Sequence, residues 1–182
     1  MEQATVAVFG SSAAVLGDAQ YQAALRCGRL LAEAGFAVVT GGYGGVMEAV
    51  SSGARGAGAP VVGVTVPTVF PQRPGPNPYV TDERQAASLT ERIHQLISIP
   101  DAIIALEGSI GTFTELMAAW NVAFAARFSG TWTKPVVAVG PQWRELLPLL
   151  AEKLETDGSL ITCVDTVEEA VTLVKERLSV SD

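Results

Sequence analysis

Short apolar runs recur along the chain, and longer stretches with helical periodicity separate them. The runs predict six strands, at residues 5–9, 36–40, 60–66, 101–106, 135–139 and 160–164. Each run is continuously apolar instead of alternating between apolar and polar residues. That pattern is typical of a parallel sheet covered by helices on both faces.

The stretches between the strands predict helices at residues 19–34, 46–57 and 84–99, and Gly35 follows the first as a helix-ending residue. Strict alternation of strand and helix indicates a doubly wound α/β fold. We therefore expect one Rossmann-like domain spanning residues 1–182, with a mostly parallel sheet of about six strands.

One irregular tract, residues 67–80, contains five prolines: Pro67, Pro71, Pro74, Pro76 and Pro78. The tract fits a stiff surface connection, or a wall or lid over a site at the strand ends. Because proline-rich connections are common, composition alone favours the first interpretation.

Charge and composition exclude several functions. Twelve Lys and Arg against 19 Asp and Glu among 182 residues give a net charge of −7, which argues against a nucleic-acid partner. The start of the chain lacks a basic leader, and no apolar run reaches the ~18 residues of a membrane helix, so we expect a cytoplasmic protein and no membrane partner. One histidine (His94) and two cysteines (Cys27 and Cys163) predict no metal site and no disulfide framework.

Three predicted strands end in loops of small residues that lead into helices. Glycine lets the backbone approach a phosphate, and a helix N-terminus offers N–H groups to an anion. These loops predict a small-molecule site for a nucleotide or sugar phosphate. Its candidate binding residues are Gly10, Ser11, Ser12, Gly41, Gly42, Gly44, Gly45, Glu48, Gly108, Ser109, Gly111 and Thr112.

Familiar cofactor motifs are missing from these loops. No GxGxxG follows the first strand and no GxxxxGK[ST] occurs in the chain, which disfavours an ordinary NAD site and a P-loop. None of the three lysines lies in a glycine-rich strand-end loop, so a pyridoxal-phosphate Schiff base is poorly supported. We expect no cofactor.

Two charged residues are candidates for catalysis. Arg92 stands about 10 Å back along a helix from Ile99, and the next strand climbs about 13 Å, so Arg92 should lie level with the loop before Glu115. Each residue also has a structural interpretation. Thr112 and Glu115 fit a T-x-x-E capping box, which spacing alone favours. A helical arginine commonly pairs at the surface, here with Glu91 or a nearby acid.

The stretch 113–128 is apolar on nearly every side, which predicts a helix buried all round. The helix can lie under other elements of its own fold, or Trp120, Phe124 and Phe128 can face a second copy. Symmetric oligomers are common, so we favour a homodimer.

The stretches 38–50, 63–67 and 108–115 (VVTGGYGGVMEAV, GVTVP and GSIGTFTE) resemble the Lonely Guy (LOG) family. The resemblance implies a Rossmann-like homodimer that needs no cofactor. It also implies a phosphoribohydrolase, which cleaves a nucleoside 5′-monophosphate such as AMP or a cytokinin riboside monophosphate to free base and ribose 5-phosphate. A similar branch of the family contains molybdenum-cofactor carrier proteins, which implies a non-catalytic alternative.

The family hallmark PGGxGTxxE, with an upstream Arg-Lys pair, assigns catalytic roles to Arg92 and Glu115. We expect Glu115 to orient the ribose hydroxyls and stabilise the positive charge that develops on the ribose, or to activate water. We expect Arg92 to anchor the base or help its departure. Three positions differ, because Glu107 replaces the proline, Ser109 the second glycine and Ile93 the lysine. We expect a carboxylate at Glu107 to lie at the mouth of the phosphate loop and weaken phosphate binding.

Overall fold

A computed structural model describes residues 3–73, 75–130 and 134–179. Outside these ranges lie Met1 and Glu2, at the start of the chain that is expected to lack a basic leader, and Pro74, one of the five prolines of the tract 67–80. The strands are β1 (Thr5–Phe9), β2 (Ala37–Thr40), β3 (Val61–Thr65), β4 (Asp82–Gln85), β5 (Ala102–Ala105), β6 (Val136–Val139) and β7 (Thr162–Val164). The helices are α1 (Ala19–Glu33), α2 (Val46–Gly56), α3 (Leu89–Ser98), α4 (Ile110–Ala126), α5 (Pro141–Lys153) and α6 (Val167–Ser179), with a short 3₁₀ helix at Gly158–Leu160.

The strands form one sheet in the order β4-β3-β2-β1-β5-β6-β7. Every pairing in the described ranges is parallel, and Val6 of β1 stands level with Val38 of β2 and Ala102 of β5. The order reverses at β1, because β2 lies on one side of it and β5 on the other. This confirms the doubly wound α/β fold, and ligands of such sheets bind at the carboxyl ends beside the reversal.

The strand count of six was short by one. Asp82–Gln85 pairs with β3 at the sheet edge, and all four of its residues are exposed. The prediction that a helix begins at Arg84 was therefore wrong. Helix α3 begins at Leu89, where the hydroxyl of the N-cap Ser88 accepts the N–H of Glu91 at 3.2 Å.

Two apolar clusters pack against the two faces of the sheet. Successive side chains of a strand point to opposite faces, so Val8 belongs to the cluster under α1, α2 and α6. Phe9 belongs to the cluster under α3, α4 and α5, together with Leu116 and Trp143. The sheet is thus buried on both faces, and its carboxyl edge presents the loops after β1, β2 and β5.

Within its own chain helix α4 is not buried all round, so the first of the two alternatives is wrong, and the second, a face covered by a second copy, stays a prediction. Leu116 and Trp120 face the core, whereas Val122 is 41% exposed and Phe128, just after the helix, is 86% exposed. The Trp120 indole N–H donates to the carbonyl of Asp157 at 2.9 Å, so Trp120 is hydrogen-bonded and buried within its own chain. In the part of the chain that the structure describes, no helix has the length and apolar character needed to cross a bilayer.

Candidate functional site

A cavity of about 100 Å³ opens at the carboxyl edge of the sheet, between β1, β2 and β5. Eight of the predicted site residues line it: Gly10, Ser12, Gly41, Arg92, Ser109, Gly111, Thr112 and Glu115. Its other lining residues are Val8, Phe9, Met47, Phe70 and Arg73. The cavity therefore lies where the order of the strands reverses, the usual ligand position in this architecture.

Arg92 projects from α3 into the floor of this cavity and is 6% exposed. Its Nε donates to the carbonyl of Val64 at 2.8 Å, and its Nη2 donates to the carbonyl of Gly41 at 3.0 Å. A Cβ at Gly41 would lie 1.9 Å from Nη2, so only glycine leaves room for the guanidinium. Arg92 is thus a buried, anchored cation and not a surface partner of Glu91.

Glu115 lies beside this cation, as the rise arithmetic predicts. Its Oε1 is 3.5 Å from Arg92 Nη1, and its side chain is 13% exposed. Burial raises the pKa of Glu115 to about 7, and the nearby Arg92 charge limits the rise. Burial also lowers the pKa of Arg92, against the attraction of Glu115. A carboxyl group that titrates near neutral pH can exchange a proton under physiological conditions.

The capping-box interpretation of Glu115 was wrong. The N-cap of α4 is Ser109, which places Thr112 inside the first turn and Glu115 in the second. Ser109 makes no side-chain capping bond, so within the described part of the chain the helix does not engage its hydroxyl, which can contact a ligand. The first N–H groups of a helix have no intrahelical acceptor, so the start of α4 offers several donors to an anion.

Gly108 lies outside the cavity lining. Its N–H donates to Gln142 Oε1 at 2.9 Å, and Gln142 Nε2 donates back to the Gly108 carbonyl at 2.8 Å. A Cβ at Gly108 would lie 2.2 Å from Thr112 Oγ1, so the glycine permits the tight approach of the helix. One predicted phosphate donor is therefore already bonded within the fold.

Glu107 also differs from its expected placement. Its Oε1 accepts the N–H of Gln142 at 3.0 Å, in the first turn of α5, and Glu107 is absent from the cavity lining. A carboxylate at a helix N-terminus is favourable to the helix dipole. The expected carboxylate at the mouth of the phosphate loop is thus a helix-capping group instead.

The remaining predicted residues shape the neighbouring turns. Gly42 has φ +77° and accepts the N–H of Asn77 at 2.7 Å, and Gly45 has φ +72°, both backbone conformations that favour glycine. The Ser11 carbonyl accepts the Val46 N–H at 2.9 Å. Ser11, Gly42, Gly44, Gly45 and Glu48 are not in the cavity lining.

The sequence of this chain matches a known protein family. The model of the SLOG cluster4 family matches residues 3–171. The chain belongs to this family. A cytokinin riboside 5′-monophosphate phosphoribohydrolase from Mycobacterium tuberculosis is 31% identical over 138 residues, which cover 75% of this chain and 71% of that protein. Both matches confirm the resemblance to LOG proteins.

A second sequence match covers only part of this chain, whereas a structural match covers nearly all of it. An uncharacterized protein of Archaeoglobus fulgidus is 34% identical over 97 residues, which cover 53% of this chain and 61% of that protein, so the match spans less than two thirds of its length. The structure of a molybdenum cofactor binding protein from Rippkaea orientalis has a TM-score of 0.78 at 22% identity, with 98% of this chain and 99% of that one covered. At this identity the likeness shows a shared fold.

Phe70 and Arg73 are two of the five cavity-lining residues of this SLOG protein that sequence reasoning missed. Both come from the proline-rich tract, which therefore forms part of the cavity wall instead of a mere surface connection. The Arg73 guanidinium lies 4.2 Å from the Phe70 ring centre and 4.4 Å from that of Tyr43. The only available signal was an arginine and an aromatic residue within a loop that follows a strand end.

Other reactive groups of this SLOG protein lie elsewhere. Cys27 is buried in α1, where burial raises the pKa of its thiol to about 12, so it stays protonated and unreactive. His94 is exposed on α3. Among the described residues, no three His, Cys, Asp or Glu side chains form a group that could hold a metal ion.

Proposed function

We propose that this SLOG protein hydrolyses the N-glycosidic bond of a purine nucleoside 5′-monophosphate, releasing free base and ribose 5-phosphate. The observation that carries the proposal is the buried Arg92–Glu115 pair, which lies in one cavity with the N-terminus of α4. The similarity to the mycobacterial phosphoribohydrolase supports the same reaction. No cofactor enters the proposed chemistry.

The proposed mechanism assigns a role to each wall of the cavity. The first turn of α4 and Ser109 bind the 5′-phosphate. The ionised carboxylate of Glu115 stabilises the positive charge that develops on the ribose as the C1′–N bond breaks, and it orients the water that adds to C1′. The water oxygen bonds to C1′ as the C1′–N bond breaks, and one water proton passes to the carboxylate of Glu115 and from there to solvent. The departing base takes a proton from solvent, and the products are free base and ribose 5-phosphate.

Arg92 supports this carboxylate. Two of its nitrogens are anchored to the carbonyls of Val64 and Gly41, so Nη1 is held toward Glu115. The fixed positive charge favours ionised Glu115 against the cost of burial. In the proposed mechanism the same charge anchors the base and helps its departure.

A second candidate function is binding and transport of a phosphorylated cofactor of the molybdopterin type, without catalysis. The observation that favours it is the Gly108 N–H, which Gln142 already engages, so the anion loop has one donor fewer than its sequence suggests. The fold shared with the Rippkaea orientalis protein is compatible with this alternative.

One assay separates the two candidates. The purified protein is incubated with AMP and with isopentenyl-AMP, and free base is followed by chromatography for wild type, Glu115→Gln, Arg92→Ala and the exposed control Glu152→Gln. We expect base release that Glu115→Gln and Arg92→Ala abolish and Glu152→Gln leaves unchanged. Absence of release from wild type, together with thermal stabilisation by molybdopterin, would support the carrier instead.

We also propose that the protein is a homodimer that pairs through α4 and α5. A groove of about 410 Å³ between these helices is lined mainly by apolar residues, and Phe128 projects beyond it from the end of α4. Exposed apolar surface of this kind marks interaction sites. Light scattering after gel filtration should show dimers for wild type and for Leu16→Asp, a remote exposed control, but monomers for Phe128→Asp. Unchanged dimers in Phe128→Asp would refute this interface.

We also propose that the chain is a single domain and that its partner is a small molecule. Its net charge of −7 supports the absence of a nucleic-acid partner. A cytoplasmic location stays a prediction.

A further inference from the structure

Two aromatic rings hold the Arg73 side chain at the cavity. The rings of Tyr43 and Phe70 meet edge to face, with centres 5.8 Å apart and planes inclined by 82°. The Arg73 guanidinium lies in the corner between them, 4.4 Å from one ring centre and 4.2 Å from the other. Cation–π contacts of this length hold a guanidinium by its carbon centre and flat faces.

Holding the guanidinium in this way leaves its N–H groups unused. Across residues 3–73, 75–130 and 134–179, no carboxylate lies within 4.0 Å of Arg73, and its side chain donates no hydrogen bond. An arginine stacked on aromatic rings presents its donors at the edge of the group, in the spacing that matches two oxygens of one phosphate.

The cavity also carries more positive than negative charge. Arg92 lies 5.6 Å from the centre of the same Tyr43 ring, so two guanidinium groups flank one aromatic side chain. Burial is the main cause of the lowered pKa of Arg92, and the like charge of Arg73 adds to it. Among the described residues Glu115 is the one carboxylate in the cavity lining, and its pKa of about 7 leaves it only partly ionised at neutral pH.

This excess stands out in a chain whose net charge is −7. A phosphate monoester carries about −1.5 to −2 charges at pH 7, which matches the uncompensated charge of the cavity. A neutral ligand would leave the repulsion between the two arginines unrelieved. The arrangement is thus complementary to an anion and not to a nucleoside.

We propose that Arg73 binds the phosphate monoester of the ligand directly, as a cationic clamp that the proline-rich tract contributes to the site. The inference rests on the proposed function for the identity of the ligand and assigns its binding to a residue outside the hallmark motif. Tyr43 and Phe70 position the guanidinium, so the clamp is in place before the ligand arrives.

Calorimetric titration with ribose 5-phosphate, AMP, adenosine and inorganic phosphate tests the clamp. The proteins are wild type, Arg73→Gln, Arg73→Lys and the exposed control Arg84→Gln, whose arginine pairs with Asp82 on β4. We expect Arg73→Gln to weaken binding of ribose 5-phosphate and AMP by about tenfold or more, as loss of a hydrogen bond to a charged group does. Adenosine binding should change less than about twofold, since adenosine has no phosphate group to lose contact with Arg73.

The remaining arms identify the ligand and the type of contact. Arg73→Lys should recover only part of the affinity, because an ammonium group does not bind two phosphate oxygens at once. Tight binding of inorganic phosphate alone would indicate a free-anion site and would overturn the clamp on a nucleotide. Equal affinity of wild type and Arg73→Gln for AMP would overturn it as well, as would the absence of phosphate-ester binding by wild type.

Steady-state kinetics separates this inference from the proposed hydrolysis. If the clamp exists, Arg73→Gln raises KM for AMP and leaves kcat largely unchanged, whereas Glu115→Gln abolishes kcat. Unchanged KM in Arg73→Gln, with turnover still lost in Glu115→Gln, would refute the clamp while the hydrolase stands. Unaltered turnover in Glu115→Gln, with a raised KM in Arg73→Gln, would refute the proposed catalytic role while the clamp stands.

Discussion

Replacing Glu115 by glutamine should make the protein more stable at alkaline pH. The carboxyl group is buried beside Arg92, and burial outweighs the attraction of that cation. In the unfolded chain the group titrates near its ordinary value of 4.5, whereas in the folded protein its pKa is about 7. The folded state therefore binds the proton more tightly, and deprotonation favours unfolding.

The size of the effect follows from that difference in pKa. At about 1.4 kcal/mol per pKa unit, the ionised carboxylate costs about 3 kcal/mol of folding free energy at pH 8. At pH 5 the folded state is largely protonated and the unfolded state is about three-quarters ionised, and the cost falls below about 1 kcal/mol. Stability linked to Glu115 is thus present below pH 4.5 and is lost as pH rises through 7.

Urea unfolding of wild type and Glu115→Gln at pH 5, 6, 7 and 8 measures this cost. The amide does not titrate, so the variant's free energy of unfolding, relative to wild type, should rise by about 2.5 kcal/mol from pH 5 to pH 8. The exposed control Glu152→Gln should show no such change. Parallel pH dependences of wild type and Glu115→Gln would refute the raised pKa, and a relative loss of stability at pH 8 would reverse its sign.

Two other variants test how the loops hold the site. Gly41→Ala places a Cβ 1.9 Å from Arg92 Nη2, so it should abolish base release and destabilise the protein by about 1–3 kcal/mol in thermal or urea unfolding. In the control Gly44→Ala the added Cβ meets nothing nearer than 3.8 Å, so neither base release nor stability should change. Normal activity in Gly41→Ala would show that Arg92 need not be held there. Glu107→Gln should lower stability by about 0.3–1 kcal/mol through the weakened cap of α5 and leave KM for AMP within about twofold. A marked fall in KM in that variant would indicate that the Glu107 carboxylate lies at the mouth of the cavity and repels the phosphate.

The fold was largely predictable because its buried strands carry the signal. Six continuous apolar runs correspond to strands that helices cover on both faces. The edge strand β4 escaped prediction because its sequence, Asp82–Gln85, is fully polar and exposed. Its backbone pairs with β3 without any buried side chain, so hydrophobic periodicity contains no trace of it.

The candidate site was predictable only in part. The rise of a helix and of a strand placed Arg92 near Glu115, and the two side chains lie 3.5 Å apart. Glu107 could not be oriented from sequence, because its partner Gln142 lies 35 residues further along the chain. Arg73 was missed for a similar reason, since its position depends on packing against Tyr43, a residue of another loop.

The pH dependence of base release from AMP at saturating substrate tests the central claim most directly, namely that ionised Glu115 acts in the reaction. Because the pKa of Glu115 is about 7, kcat should rise as the pH increases from 6 to 8 and should level off above that range. A kcat that is flat or falls over this interval would contradict the role of the carboxylate, and so would the absence of base release at every pH.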